Sequence, residues 1–199
     1  MTEGGSVSPE MGASGSSAPD LEQVMMRYQN ADPAAAELLV DLLSPQLYFF
    51  FSSQMGNRAE ADDMLQEVWL RIHRVRHTYR PGEPLLSWVY AIARRVRIDN
   101  YRRRRRIAGR EVSTGVLPEV RMDEPPSRKL PSFAELVAPL PESQREVLTM
   151  LKVSGLSIDE VARATSSTAG AVKQKVHRAY HRLRALLEDA KQARGGEEQ

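Results

Sequence analysis

Leu85 to Arg106 confines the fold more than any other stretch of the chain: LLSWVYAIARRVRIDNYRRRRR. Leu86, Val89, Ile92 with Ala93, and Val96 recur at i, i+3, i+4, i+7 spacing, the signature of one buried helix face rather than of a strand. From Arg94 onward the same helix becomes the most basic segment of the chain, ending in the unbroken run Arg102–Arg106. It is therefore expected to be anchored in a core at one end and cationic at the other. Trp88, Tyr90 and Tyr101 add rings. Guanidinium groups and flat rings on a rigid helix suit a polyanion with exposed bases. The plain alternative is a solvated basic end or a localisation signal.

Helical spacing recurs along the chain, and no segment shows sustained alternation with β-branched residues, so an all-α fold without a sheet is predicted. Leu21, Val24, Met25 and Tyr28 mark a first helix. Asp32-Pro33 reads as a helix start, with Asp capping free N–H groups and Pro in the first turn. That helix carries Ala35, Leu38, Leu39 and Leu42. Ser44-Pro45 repeats the start signal for a helix with Leu47, Tyr48, Phe50 and Phe51, ended by Gly56-Asn57. A long helix from Arg58 to about Tyr79 has the stripe Ala61, Leu65, Val68, Trp69, Ile72 and Val75. Its other face is polar: Asp62, Asp63, Gln66, Glu67 and Arg71.

The remaining chain divides in two. Gly109, Gly115, Pro118, Pro125 and Pro126 break any period and mark a flexible linker, with a short helix expected near Phe133–Val137. Beyond Leu140-Pro141, Val147, Leu148 and Leu151 form a stripe that Gly155 stops. Ser157-Ile158-Asp159-Glu160 is a capping box, with Leu156 and Val161 placed as a hydrophobic staple. A short helix to about Ala164, a turn at Thr165–Ser167 and a longer helix capped by Thr168 make a helix-turn-helix pattern. The longer helix has Val172, Val176, Ala179, Leu183, Leu186 and Leu187 on one side and Lys173, Gln174, His177, Arg178 and His181 on the other. The expected organisation is a disordered tail over 1–19, a helical domain over 20–106, a linker over 107–135, a helix-turn-helix domain over 136–190 and a second tail over 191–199.

Composition narrows the function. At 41% hydrophobic and 27% charged residues the chain is globular. It has no Cys, which excludes disulfides and thiolate metal sites and fits a reducing compartment. No apolar run is expected to reach the ~20 residues that cross a bilayer, and the N-terminus lacks an apolar signal core. Net charge is only +2 and the isoelectric point about 9.0, but the net figure conceals an expected segregation, with the arginines clustered and the acids in tails and exposed turns. Such local patches steer nucleic acid more than the sum does.

In a helix-turn-helix, residues near the start of the second helix reach base edges, here Thr168, Ala169, Lys173, Gln174 and His177. Lys and Gln can bond purine edges and Ala can touch a thymine methyl; Arg178, Arg182 and Arg184 suit phosphates. The alternative is a helical hairpin with a charged surface. His73/His77 and His177/His181 have a metal-compatible spacing, but they lack a third ligand and sit among arginines. Asp62, Asp63 and Glu67 are either a solvated face or a docking face for a basic partner. No Gly-rich phosphate loop or nucleophile elbow appears, so no catalytic residue, metal or cofactor is expected.

Three ordered motifs resemble a family. Ala61-Asp62-Asp63-Met64-Leu65-Gln66-Glu67-Val68-Trp69-Leu70-Arg71, Ser87-Trp88-Val89-Tyr90-Ala91-Ile92-Ala93-Arg94 with Asp99, and Leu140-Pro141 with Gly170–Ala179 resemble bacterial RNA polymerase sigma factors of the extracytoplasmic-function type. The likeness covers about Leu21 to Leu187. It implies a region 2 bundle and a region 4 helix-turn-helix joined by the linker, which would pass toward the RNA exit path. Asp62, Asp63, Gln66, Glu67 and Arg71 would face the β′ clamp helices of core polymerase, with the β subunit as a further partner. His77 to Pro84, with Arg80, would capture a flipped −10 base, and Trp88, Arg95, Asn100 and Arg103 would lie along the non-template strand. Thr168, Ala169, Lys173, Gln174, His177 and Arg178 would read the −35 duplex of promoter DNA. An anti-sigma factor and a cytoplasmic location also follow from the resemblance. Two departures stand out: Arg95 where the family usually has Asn, and Thr165-Ser166-Ser167 in place of Leu-Gly-Ile in the turn. A conventional helix-turn-helix regulator is the alternative reading.

Overall fold

The computed structural model describes residues 19–55, 58–108 and 132–195. Gly56-Asn57, residues 1–18, 196–199 and 109–131 lie outside them, so the expectations of the N-terminal tail, of the Gly-Asn stop and of most of the linker fall on undescribed residues, whereas the tail expected from 191 is helical as far as Gly195. Among the described residues every regular element is helical. They are α1 (Leu21–Gln29), α2 (Pro33–Gln54), α3 (Arg58–Val75), a 3-10 turn (Arg76–Thr78), α4 (Leu85–Ala108), α5 (Phe133–Val137), α6 (Glu142–Lys152), α7 (Ile158–Ala164) and α8 (Ala169–Gly195). The all-α, two-part architecture agrees with the periodicity of the sequence.

Caps explain most of the boundaries. Asp20 accepts from the Glu22 and Gln23 amides to start α1, and Asp32 accepts from Ala34 and Ala35 to start α2 with Pro33 in its first turn. Ser132 and Ser157 each form a complete capping box with the Glu three residues later. One start signal fails: Ser44-Pro45 lies inside α2, which runs unbroken. Pro45 forfeits one backbone donor, while Ser44, instead of capping, accepts a hydrogen bond from the Trp69 indole at 3.0 Å. The fused helix is therefore long and apolar enough to cross a membrane by length and composition, contrary to expectation. Its stripe of Ala35, Leu39, Leu43, Leu47, Phe50 and Phe51 is nevertheless buried in the core.

The first domain packs α2 between α1 and α3, and α3 against α4. Its centre holds Met25, Leu39, Leu47, Phe50, Phe51, Met64, Val68, Ile72 and Tyr90. Phe50 meets Phe51 and Tyr90 edge-on, with ring centroids 5.4 Å apart in each case. In the second domain α6 and α7 pack on α8. The two domains also touch. α7 lies on α4 and α6 lies on α2, so Val147, Met150, Leu156, Val161 and Val172 belong to one continuous core with Val89, Ile92 and Ala93. The far part of α8 departs from the expected pattern: the helix continues to Gly195, and Leu186 and Leu187 are exposed.

Candidate functional site

Three surfaces carry the residues singled out in the sequence. The first is the polar face of α3. Ala61, Met64, Val68 and Ile72 turn inward, so the helical period leaves Asp62, Asp63, Gln66 and Glu67 exposed side by side. Arg71 is half-buried and paired with Asp99 of α4, 3.0 Å away. Asp63, Glu67 and Arg71 line a recess of about 410 Å³ together with Asp99, Asn100 and Arg103 of α4. Two of the acidic residues of α3, Asp63 and Glu67, and two of the expected strand-binding residues thus share one concavity.

The second surface is the turn between α3 and α4 and the outer side of α4. Gln29 of α1 donates to the carbonyls of Arg76 and Tyr79 at 2.7 and 2.9 Å, and the Tyr79 hydroxyl donates to the Glu83 carbonyl at 2.6 Å. Tyr28 bonds His73 Nδ1 at 2.8 Å, and the Arg76 guanidinium lies over the Tyr28 ring. Gly82 adopts φ +87°, which a side chain would strain. The turn is thereby pinned from below, with His77 and Arg80 exposed on it. Burial pushes the Tyr79 hydroxyl up to about 12, helped by Glu22, Asp20 and Glu83, so it stays a neutral donor. Trp88 packs edge-on against Tyr79, 5.7 Å between centroids, and is half-buried.

The residues of α4 do not form one track. Trp88 and Arg95, seven apart, share the outer face, with Arg95 exposed. Asn100 and Arg103 turn toward α3 and its recess. Tyr90 and Arg97 turn the other way and are buried, at 1% and 4% exposure. Tyr90, read from the sequence as a ring on the basic helix, is instead hydrogen-bonded to Ser154 of the second domain. Arg97 is ion-paired with Glu142 and Glu146 of α6, the Glu146 contact at 2.9 Å. Sequence reasoning missed this set. Its only trace there is the complementary spacing of Arg94/Arg97 and Glu142/Glu146, which has meaning only once α4 and α6 are known to meet.

The third surface is the start of α8. Thr168 Oγ1 accepts from the Ala171 amide at 3.1 Å, the expected cap. Val172 and Ala179 are buried against α6 and α7, so Thr168, Lys173, Gln174, His177 and Arg178 are exposed and Ala169 half-exposed. The unusual turn closes without glycine: Ser166 takes φ +52°, and Thr165 Oγ1 bonds both the Val161 carbonyl and Ser167 Oγ, each at 2.8 Å. The Thr and Ser hydroxyls stabilise locally what a glycine would supply by conformational freedom.

Residues 39–107 match the family description Sigma-70 region 2, and residues 132–183 match Sigma-70, region 4. The chain is 33% identical over 160 residues to the ECF RNA polymerase sigma factor EcfG of Rhodopseudomonas palustris, covering 78% of this chain and 87% of that one. It is 31% identical over 178 residues to the ECF sigma factor SigF of Caulobacter vibrioides, covering 88% and 96%. This chain belongs to the extracytoplasmic-function sigma factors. Its activity is promoter-directed initiation of transcription, and its two domains are sigma regions 2 and 4. Among solved structures, the sigma factor RpoE of Bartonella quintana in complex with the anti-sigma factor NepR aligns with a TM-score of 0.61 at 25% identity, covering 76% of this chain and 96% of that one. CnrH in complex with the cytosolic domain of CnrY shares the fold, with a TM-score of 0.64 at 20% identity over 85% and 99% of the two chains.

Proposed function

We propose that this sigma factor divides its work among the three surfaces. Asp62, Asp63, Gln66 and Glu67 on α3, with Arg71, dock on the β′ clamp helices of core polymerase. The pinned turn with His77 and Arg80 captures an unstacked −10 base, Trp88 and Arg95 follow the displaced strand by stacking and charge, and Asn100 and Arg103 flank the docking recess. Thr168, Ala169, Lys173, Gln174, His177 and Arg178 read the −35 duplex. The domain limits proposed are 20–106 for region 2 and 136–190 for region 4. Binding energy, not ATP, separates the strands, and the protein is not an enzyme in itself. It works in the cytoplasm, and an anti-sigma factor occludes its exposed faces, a partner class seen with the solved relative RpoE of Bartonella quintana.

The exposure of α3's acidic face beside a rigid turn carries this reading, because a regulator using only its helix-turn-helix has no use for either. Run-off transcription with purified core enzyme on a genomic promoter library tests it. A promoter-specific transcript that depends on this protein is expected, and its absence refutes the proposal. Charge reversal at Asp63 and Glu67 is expected to lower holoenzyme affinity by about tenfold or more while leaving helical content intact. Unchanged affinity counts against the docking face.

A further inference from the structure

One side chain outside the three surfaces reaches into the second of them. The region 2 match begins at residue 39, so α1 lies before it in the chain. The last residue of α1, Gln29, is half-buried. Its Nε2 donates to the Arg76 carbonyl at 2.7 Å and to the Tyr79 carbonyl at 2.9 Å, 47 and 50 positions away. A primary amide has two N–H donors, and both are used on this one turn. The choice of acceptors matters. The Arg76 carbonyl belongs to the peptide unit that carries the His77 nitrogen, and the Tyr79 carbonyl to the unit that carries the Arg80 nitrogen. A peptide unit is planar, so fixing its oxygen fixes the plane from which the next residue departs. His77 and Arg80 are the exposed residues to which base capture is assigned above.

We propose that Gln29 is a positioning residue for promoter recognition: by holding the two peptide planes that precede His77 and Arg80, it sets which −10 base the turn accepts. The proposal rests on the base-capturing reading of that turn. Gln29 touches no nucleotide and acts through the backbone. The physical need is preorganisation. Between Thr78 and Leu85 the chain has no regular structure. Its own backbone bonds there, from the Tyr79 amide to the Arg76 carbonyl and from the Glu83 amide to the Arg80 carbonyl, are both 3.2 Å, the long end of the usual range. A turn held by these alone would use binding energy to order itself, and side chains free to re-aim accept more than one base.

The platform beneath Gln29 is rigid. Val24, Met25 and Tyr28 bury α1 in the core. Tyr28 bonds His73 Nδ1 at 2.8 Å, and its ring lies under the Arg76 guanidinium. Arg27 is paired with Asp32 at 2.8 Å, and the Asn30 side chain closes the helix with a 3.0 Å bond to the Met26 carbonyl. Gln29 is thus a polar link from a fixed helix end to two carbonyls of the turn. Its chemistry is specific. Met keeps the length and the helix preference but donates nothing, and a Glu carboxylate would oppose two carbonyl oxygens.

The test uses holoenzyme reconstituted from core polymerase and the full-length protein. Its templates are a promoter recovered from the run-off library and the set of single-base variants of that promoter at −10 and −35. Gln29→Met is expected to reduce the base preference at one −10 position about tenfold, with −35 preferences and holoenzyme affinity unchanged. Gln29→Glu should reduce it further. Asn30→Ala loosens the same end of α1 without touching the turn, and should leave every preference as in the wild type. In the free full chain, hydrogen exchange at the Tyr79 and Glu83 amides should quicken at least about tenfold in Gln29→Met and not in Asn30→Ala.

An unchanged −10 preference in Gln29→Met overturns the proposal, and unchanged exchange overturns the claim that Gln29 holds the turn. An equal loss at all −10 and −35 positions, or the same loss in Asn30→Ala, also overturns it, because either marks general destabilisation. His77→Ala with Arg80→Ala checks the underlying reading. If this double variant leaves every −10 preference intact, the capture turn is misassigned and the positioning role falls with it. If it relaxes one base and Gln29→Met does not, the role of Gln29 alone is refuted. If the wild-type protein directs no transcript, the sigma-factor reading fails and takes the proposal with it.

Discussion

The two long basic helices, α4 and α8, look alike in sequence and live differently in the fold. Each begins with an apolar stripe and continues into arginines. α4 is packed on two sides, by α3 and by α7, and keeps only a third face for solvent. α8 is packed on one side, by α6 and α7, and only through its first half. Val172 and Ala179 are fully enclosed, Leu183 is half-buried, and Leu186 and Leu187 are exposed. A helix with one neighbour sorts its residues into an inner and an outer set, as an amphipathic pattern implies. A helix with two neighbours recruits polar side chains to the second contact, and there hydrophobicity no longer tells inside from outside.

The contrast can be broken by mutation, most strongly at the core. Ile92→Ala, in the doubly packed helix, is expected to destabilise region 2 by about 2–4 kcal/mol in denaturant melts; a cost under 1 kcal/mol would mean that α4 is not held as described. Next come the binding faces, at about 1–3 kcal/mol each. Trp88→Ala should weaken binding of −10 single strands without altering −35 duplex preference. Gln174→Ala should relax discrimination at one −35 base pair and leave single-strand binding alone. If either variant affects both ligands equally, the assignment of separate surfaces to α4 and α8 is wrong.

Smaller effects probe the second contact of α4. Tyr90→Phe removes the bond to Ser154 and should cost about 1 kcal/mol of stability at neutral pH. Burial raises the Tyr90 hydroxyl to about 12, partly offset by the Ser154 hydrogen bond. An acid whose folded value exceeds its unfolded value of about 10 contributes stability that is complete below pH 10 and is lost as pH rises toward 12. Folding stability in denaturant melts should therefore fall over that interval in the wild type and less so in Tyr90→Phe, since Tyr79 is raised similarly and persists in both. Identical alkaline profiles would exclude Tyr90 as the titrating group. The smallest effect belongs to the free end of α8: Leu187→Ala should change stability by less than about 0.5 kcal/mol in a thermal melt, and a loss above 1 kcal/mol would reveal packing there after all.

Local chemistry was legible where it was self-contained. The Ser157–Glu160 capping box, the Asp32-Pro33 start, the polar face of α3 and the exposed start of α8 need only helical period and nearby partners, and each stands where the residues place it. Ser44-Pro45 misled because a start signal is also what a tolerated internal proline looks like. The use of Ser44 as an acceptor for Trp69, 25 positions away, decided between them. The turn at Thr165–Ser167 departs from the family pattern in residue type but keeps a left-handed position at Ser166, held by Thr165 and Ser167.

By itself, then, the sequence determined the all-α class, most of the helix starts and caps, the two domains and the family, because periodicity, capping and ordered motifs are properties of neighbouring residues. Only the tertiary structure decided what the second side of α4 is for. Burying Arg97 and Tyr90 requires Glu146 and Ser154, 49 and 64 positions away, and a charged side chain enters a core only when a distant partner compensates its lost hydration. That compensation is a property of how two domains meet, which no local pattern in Leu85–Arg106 encodes.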